Sequence, residues 1–387
     1  MRILKIVAVG VLAIVGFLGV AVAGALGYRL YRQHQNIDTL KIRTANGIEQ
    51  GLYVDIGGLR QWLQIRGDDR NNPVLLFVHG GPALSMIPFT YRSMQPWEKD
   101  FTVVQWDQRG AGRTYVLNGG ADETASGMDQ IIDDGVRVAE FARNRLHKDK
   151  IIVLGESWGS GISLEMARRR PDLFYACVGT GQLIDMPRAQ AMTHQLLLDR
   201  VRSEHDEKAI SQLVALGPPP YTDPAQWTLE QTILGNHPPE SERSWGPDFL
   251  FAPGYSVSES LQIIGGATQH RSKLVAENFK YRAASRGAHF ELPVFFFQGA
   301  EDIQAPLQLA AEYMNALSAP RKALVVIPGG GHNAFIFYSQ RFLAELNARV
   351  RPLALPSNPQ RYLDSDSAQA QPAHTSNTGR NPASERR

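Results

Sequence analysis

The sequence predicts an α/β fold: a mostly parallel central sheet, helices on both faces, and a mainly helical cap inserted between two strands. Three observations predict it. Short, continuously apolar runs recur along the chain, each the length of a buried strand, and segments of helical apolar spacing separate them. Glycine-rich loops follow several of these runs, at the strand ends where such sheets gather their functional loops. Between Leu183 and Ala288 the strand-helix rhythm stops, and amphipathic stretches such as Ala189 to Val214 replace it.

The elements follow in order along the 387 residues. Ile6 to Gly27 is an uncharged apolar run long enough to cross a bilayer as a helix, flanked by Arg2, Lys5, Arg29 and Arg32. Residues 1–30 are therefore an N-terminal transmembrane anchor or a signal peptide. Ala21-Val22-Ala23 would serve as a cleavage site, but the run continues past it, which favours an uncleaved anchor. Basic residues on both sides specify the orientation weakly. A membrane-anchored or exported protein results, with its globular part outside the cytosol, in the periplasm if the source is bacterial.

Gly51 to Ile56 and Leu59 to Ile65 alternate in polarity and meet at Gly57-Gly58, as in a hairpin. Val74 to Val78, Phe101 to Trp106, Ile151 to Leu154 and Tyr175 to Val178 are buried strands, and Met128 to Leu146 is a helix. These make residues 48–182 the first part of the sheet domain. Residues 183–290 are the cap, with a proline-rich turn at Gly217 to Pro220 and scattered aromatics, Trp227 and Trp245 among them. Residues 291–355 return to the sheet, with strands Leu292 to Phe297 and Ala323 to Ile327, a helix from Pro306 to Leu317 and a last helix from Ala334 to Arg349. Residues 356–387, rich in Ser, Gln, Asn, Pro and Ala, are expected to be disordered.

A net charge of +2 without a basic stripe gives no sign of a nucleic-acid partner. The single cysteine, Cys177, sits in an apolar run and excludes both an intramolecular disulfide and a cysteine metal site.

The chemistry gathers around Ile151 to Gly161. An apolar strand, Gly155-Glu156-Ser157-Trp158-Gly159, and a helical run make a G-x-S-x-G turn that presents Ser157 at a strand tip. The turn is so tight that its flanking residues must be small. A serine hydroxyl needs a base, and the base an orienting acid. His332 follows Gly329-Gly330-Gly331 directly after a late strand and is the candidate base. Asp302 and Glu301 both follow the preceding strand. Asp302 is favoured, because the short turn after Gly299 faces it toward the next loop. The chain order is then serine, aspartate, histidine. An oxyanion hole needs two backbone N–H donors. Trp158 supplies one and Gly81, in His79-Gly80-Gly81-Pro82, the other.

His79-Gly80-Gly81-Pro82, Asp107-Gln108-Arg109-Gly110-Ala111-Gly112-Arg113 and Gly155-Glu156-Ser157-Trp158-Gly159-Ser160, in this order, resemble the prolyl aminopeptidase (proline iminopeptidase) group of α/β-hydrolases. The resemblance spans roughly Val74 to Gly181 and Leu292 to Phe335. It implies Ser157 as nucleophile, Asp302 and His332 as its partners, buried supporting roles for Asp107 and Arg109, and no metal or organic cofactor. The chain departs from the family at Ala83, where a further glycine is usual, and at Glu156, commonly glycine. It also lacks the Trp-x-x-Trp-Glu stretch whose glutamate holds the substrate amine in that group.

The expected activity is release of an N-terminal residue from small peptides or amides through an acyl-enzyme. A carboxylesterase for small apolar esters is the alternative in the same chemistry, and an anchored, non-catalytic binding protein the alternative in another class. The partners are a small-molecule or short-peptide substrate and, through an uncleaved helix, a membrane. A free ammonium in a capped pocket must meet a carboxylate. Glu156 at the elbow, and Glu204 and Glu207, three apart on the first cap helix, are the candidates. Glu156 has a second reading, in which it turns behind the strand to a buried arginine or hydroxyl.

Overall fold

An eight-stranded sheet in the order β1-β2-β4-β3-β5-β6-β7-β8 organises the chain in a computed structural model that describes residues 2–118, 127–221, 223–243, 247–265, 274 and 279–355. The expected disordered tail and Trp245 lie outside the described residues. The strands are β1 Ile48–Ile56, β2 Leu59–Gly67, β3 Val74–Val78, β4 Thr102–Asp107, β5 Ile151–Glu156, β6 Phe174–Thr180, β7 Val294–Gly299 and β8 Lys322–Ile327. β1 and β2 pair antiparallel, as do β2 and β4, and every later pairing is parallel. The β1–β2 turn has positive φ at both Gly57 (57°) and Gly58 (79°). That matches the backbone of a two-residue hairpin and is why two glycines stand there.

β3, β4, β5 and β7 are buried at every position, so apolar residues run continuously through β3 rather than alternating. One face of the sheet packs on helices Met128–Arg145, Trp158–Arg169 and Leu307–Ala316, through Ile131, Ile162 and Leu309 among others. The other face is closed by Trp97, Phe335 and Phe342, with Trp97 stacked on Phe342 at 5.4 Å. Cys177 is buried in the first of these layers, and burial pushes its thiol up to about 12, which leaves it inert.

Between β6 and β7 the described residues form helices Met186–Ser203, Glu207–Leu216 and Pro224–Asn236, followed by short 3-10 turns and a further helical stretch over 257–265. One expectation fails here. The stretch from Ala189 to Val214 is two helices, not one. His205 turns to φ 57°, and the Asp206 carboxylate accepts from Ala209 N at 2.9 Å to start a new helix. Glu204 thus caps the end of one helix and Glu207 opens the next, so they do not share a helical face. The expected last helix is also broken, into Ala334–Phe337 and Ser339–Glu345 followed by tighter and wider turns to Ala354.

The N-terminal apolar run belongs to a helix from Arg2 to Leu40, longer than the run itself. It is the one described helix with the length and composition to cross a membrane. Its apolar residues from Val9 to Leu26 are exposed. Beyond them the helix docks on the globular part. Arg29 donates to Tyr255 O, Gln33 to Ala252 O and Asn36 to Phe251 O, each at 2.8 Å.

Candidate active site

β5 ends at Glu156, and Trp158–Arg169 starts a helix after a single residue. Ser157 makes that turn alone, with φ 51° and ψ −121°, a strained backbone for a residue with a Cβ. The flanking glycines are steric requirements. A Cβ on Gly155 would strike the carbonyl of Gly159, and one on Gly159 the carbonyl of Val78. Ser157 is left partly exposed at the tip of the sheet, held by a bond from its own N–H to Thr180 O at 2.9 Å.

His332 Nε2 lies 2.9 Å from Ser157 Oγ. Its Nδ1 lies 3.1 and 3.0 Å from the two carboxylate oxygens of Asp302. Asp302 is buried at the end of β7 and accepts from Gln304 N, Ala305 N and Gln298 Nε2 at 2.8 to 2.9 Å. Glu301 is exposed beside it. The close approach of β7's end to the His332 loop requires Gly299, where a Cβ would strike the carbonyls of Gly330 and Gly331. Burial alone would pull the His332 imidazole down, but the facing carboxylates of Asp302, and then of Glu156 and Glu242, outweigh it and raise it to about 9. With Nδ1–H donated to Asp302, neutral His332 can accept a proton from Ser157.

Gly81 and Trp158 line the same small cavity as Ser157 and His332. Gly81 has φ 122°, which only glycine adopts without strain. The rest of the His-Gly-Gly-Pro loop is bound from behind. His79 is buried, accepts from Gln108 N at 3.2 Å through Nε2, and is pushed down to about 4 by burial. Asp107 accepts from Arg113 N at 2.7 Å, and Arg109 pairs with the buried Asp134. Among the described residues, no cluster of His, Cys, Asp and Glu could hold a metal ion.

The structure separates the three glutamates expected near a substrate amine. Glu156 is buried and lines neither of the two cavities at the site. Its Oε2 accepts from Gly80 N at 2.8 Å and its Oε1 lies 3.8 Å from His332 Nε2. It thus ties the elbow to the loop carrying Gly81, a partner that neither sequence reading named. Glu204 faces outward, within 3.4 Å of Arg243 and beside His237. Glu207 is exposed at the start of the next helix.

Two groups that the sequence reasoning missed line the cavity instead. The small cavity, about 40 Å³, is also lined by Gln190 and Glu230, from two different cap helices. Glu230 is buried and bonded at Oε1 to Tyr221 Oη at 2.8 Å and His194 Nδ1 at 3.1 Å. Burial holds its carboxyl above the usual range. Gln190 is buried with neither end of its amide paired. A Trp-x-x-Glu spacing at Trp227 and Glu230 is the one sequence signal that could have pointed there. A second cavity, about 280 Å³, adjoins the first at Gln231, Gln304 and His332.

Residues 73–338 match the alpha/beta hydrolase fold family. Over 306 residues the chain is 27% identical to the probable aminopeptidase YbaC of Bacillus subtilis, a match covering 77% of this chain and 95% of that protein. It is 26% identical over 305 residues to a probable proline iminopeptidase of Leptolyngbya boryana, covering 72% and 89% of the two chains. Among solved structures, the proline iminopeptidase of Mycobacterium smegmatis aligns with a TM-score of 0.57 at 18% identity, over 77% of this chain and 97% of that one. The chain therefore belongs to the alpha/beta hydrolase fold family and is a hydrolase enzyme, similar to aminopeptidases and proline iminopeptidases.

Proposed function

We propose that the protein is a serine hydrolase, tethered by its N-terminal helix, that releases one N-terminal residue from short peptides or amides. Ser157 Oγ attacks the scissile carbonyl while His332 Nε2 takes its proton, and Asp302 holds the imidazole and stabilises its charge. The oxyanion is held by the N–H groups of Gly81 and Trp158. As the C–N bond breaks, His332 returns the proton to the leaving amine. Water then attacks the acyl-enzyme by the same route. Glu156 positions the Gly81 loop through Gly80.

The observation that carries the peptidase reading is a buried carboxylate, Glu230, in the same cavity as Ser157. Both of its described bonds fall on Oε1, which leaves Oε2 for a ligand. An ammonium entering that cavity meets a carboxylate and the unpaired amide of Gln190, so neither the charge nor the amide stays unsatisfied.

The test is a pair of kcat/KM values, for proline naphthylamide and its N-acetylated form. The free amine is expected to react much faster. Glu230→Gln should cost about 10- to 10²-fold on the free amine, the scale of a charge-assisted bond, and leave a neutral ester unaffected. Preference for the blocked substrate, or none, removes the aminopeptidase assignment in favour of the esterase.

The pH dependence is a second check. His332 acts as a base only when neutral, and its pKa is raised to about 9, so kcat/KM should climb with pH toward that value. Glu156→Gln removes one of the negative charges that raise it, and the rising limb should shift to lower pH. A limb that stays in place would mean that Glu156 does not act on the imidazole.

A further inference from the structure

The larger cavity at the site lies on the leaving-group side. His332 must hand a proton to the departing amine, so the part of the substrate beyond the scissile bond has to sit against His332. The cavity of about 280 Å³ is lined by His332 and its neighbour Asn333 but not by Ser157, whereas the small cavity holds both Ser157 and Glu230. A peptide spanning the two would place its first residue by Glu230 and its remainder in the larger space.

The charges around that space single out one cation. Arg243 is engaged by Glu240 at 2.7 Å and by Glu204 at 3.4 Å. Glu242 is buried and accepts from Asn333 N at 2.9 Å and from its side-chain amide at 3.3 Å. Glu301 is exposed at the rim. Arg200, on the last turn of Met186–Ser203, donates Nη1 to the carbonyl of His237 at 3.0 Å and forms no ion pair with a carboxylate among the described residues. It is partly buried, where a lone guanidinium gains most from an anion.

We propose that Arg200 receives the C-terminal carboxylate of the substrate, so that the enzyme acts preferentially on very short peptides, dipeptides and tripeptides, whose two charged ends are held at once by Glu230 and Arg200. This rests on the aminopeptidase assignment above. A carboxylate held inside the cavity sets the length of the peptide, because a longer chain cannot place its terminus at Arg200 while its first residue stays by Ser157.

The experiment compares kcat/KM for the dipeptide Pro-Gly and its C-terminal amide, with proline naphthylamide as a reference lacking any carboxylate. The wild type should favour the acid over the amide by about tenfold or more, the scale of a charge-assisted bond. Arg200→Met should bring that ratio near one by slowing the acid alone, and Arg200→Lys should restore part of it. A wild-type ratio near one, with naphthylamide still cleaved, overturns the role of Arg200 and leaves the aminopeptidase assignment standing. A ratio that persists in Arg200→Met also overturns it. Failure of the wild type on all three substrates removes both. The wild-type ratio decides even if the methionine variant does not fold.

Discussion

Ser157→Ala is expected to lower kcat/KM by roughly 10³-fold or more while leaving the fold intact. The loss is large because the hydroxyl is the group proposed to form the acyl bond, and His332 and Asp302 would have nothing to activate without it. Folding should be spared for two reasons. The hydroxyl is partly exposed, and its one described side-chain partner is His332. Alanine also carries the same backbone strain at φ 51° as serine, so the elbow is neither relieved nor worsened. A fluorophosphonate probe should label the wild type and not the variant, with unchanged thermal midpoints. Labelling that survives would place the nucleophile elsewhere.

Asp302→Asn should cost about 10³- to 10⁴-fold, the scale of a reversed imidazole tautomer. Asp302 faces only donors: two backbone N–H groups, the Gln298 amide and His332 Nδ1–H. An asparagine must turn its NH2 toward one of them. Gln298 and the two backbone groups cannot become acceptors at those atoms, so the imidazole yields and takes its proton on Nε2. It then points a donor at Ser157 and cannot accept. The neighbouring Glu301→Gln should stay near wild type, because that carboxylate is exposed and touches none of these groups. A silent Asp302→Asn with an inactive Glu301→Gln would reverse the assignment. Stability measured alongside kcat separates the tautomer effect from a general loosening of the loop.

The sequence carried the sheet well because its signals are local. A strand buried on both faces must be continuously apolar, as in Val74 to Val78, and a turn with two positive φ angles takes Gly57-Gly58. The elbow is legible for the same reason: Gly155 and Gly159 are demanded by atoms within a few residues or on the adjacent strand. Asp302 over Glu301 was legible too, since one of two consecutive residues faces the next loop while the other faces water.

The cap was not legible. The helix Pro224–Asn236 has no one-sided apolar stripe, so nothing in its sequence says which face meets Ser157. The break at His205 depends on one left-handed residue and one side-chain cap, which an apolar pattern continues straight through. That break moved Glu204 and Glu207 to the outside. Glu230, Gln190 and Arg200 reach the site because three-dimensional packing lays Met186–Ser203 and Pro224–Asn236 across the strand tips. By itself, then, the sequence determined the sheet, the elbow and the serine, aspartate and histidine, whose placement follows from backbone sterics and burial along short stretches. Only the tertiary structure decided which charges line the cavities, because a polar side chain on a helix is equally compatible with water and with a cavity until neighbouring elements close over it.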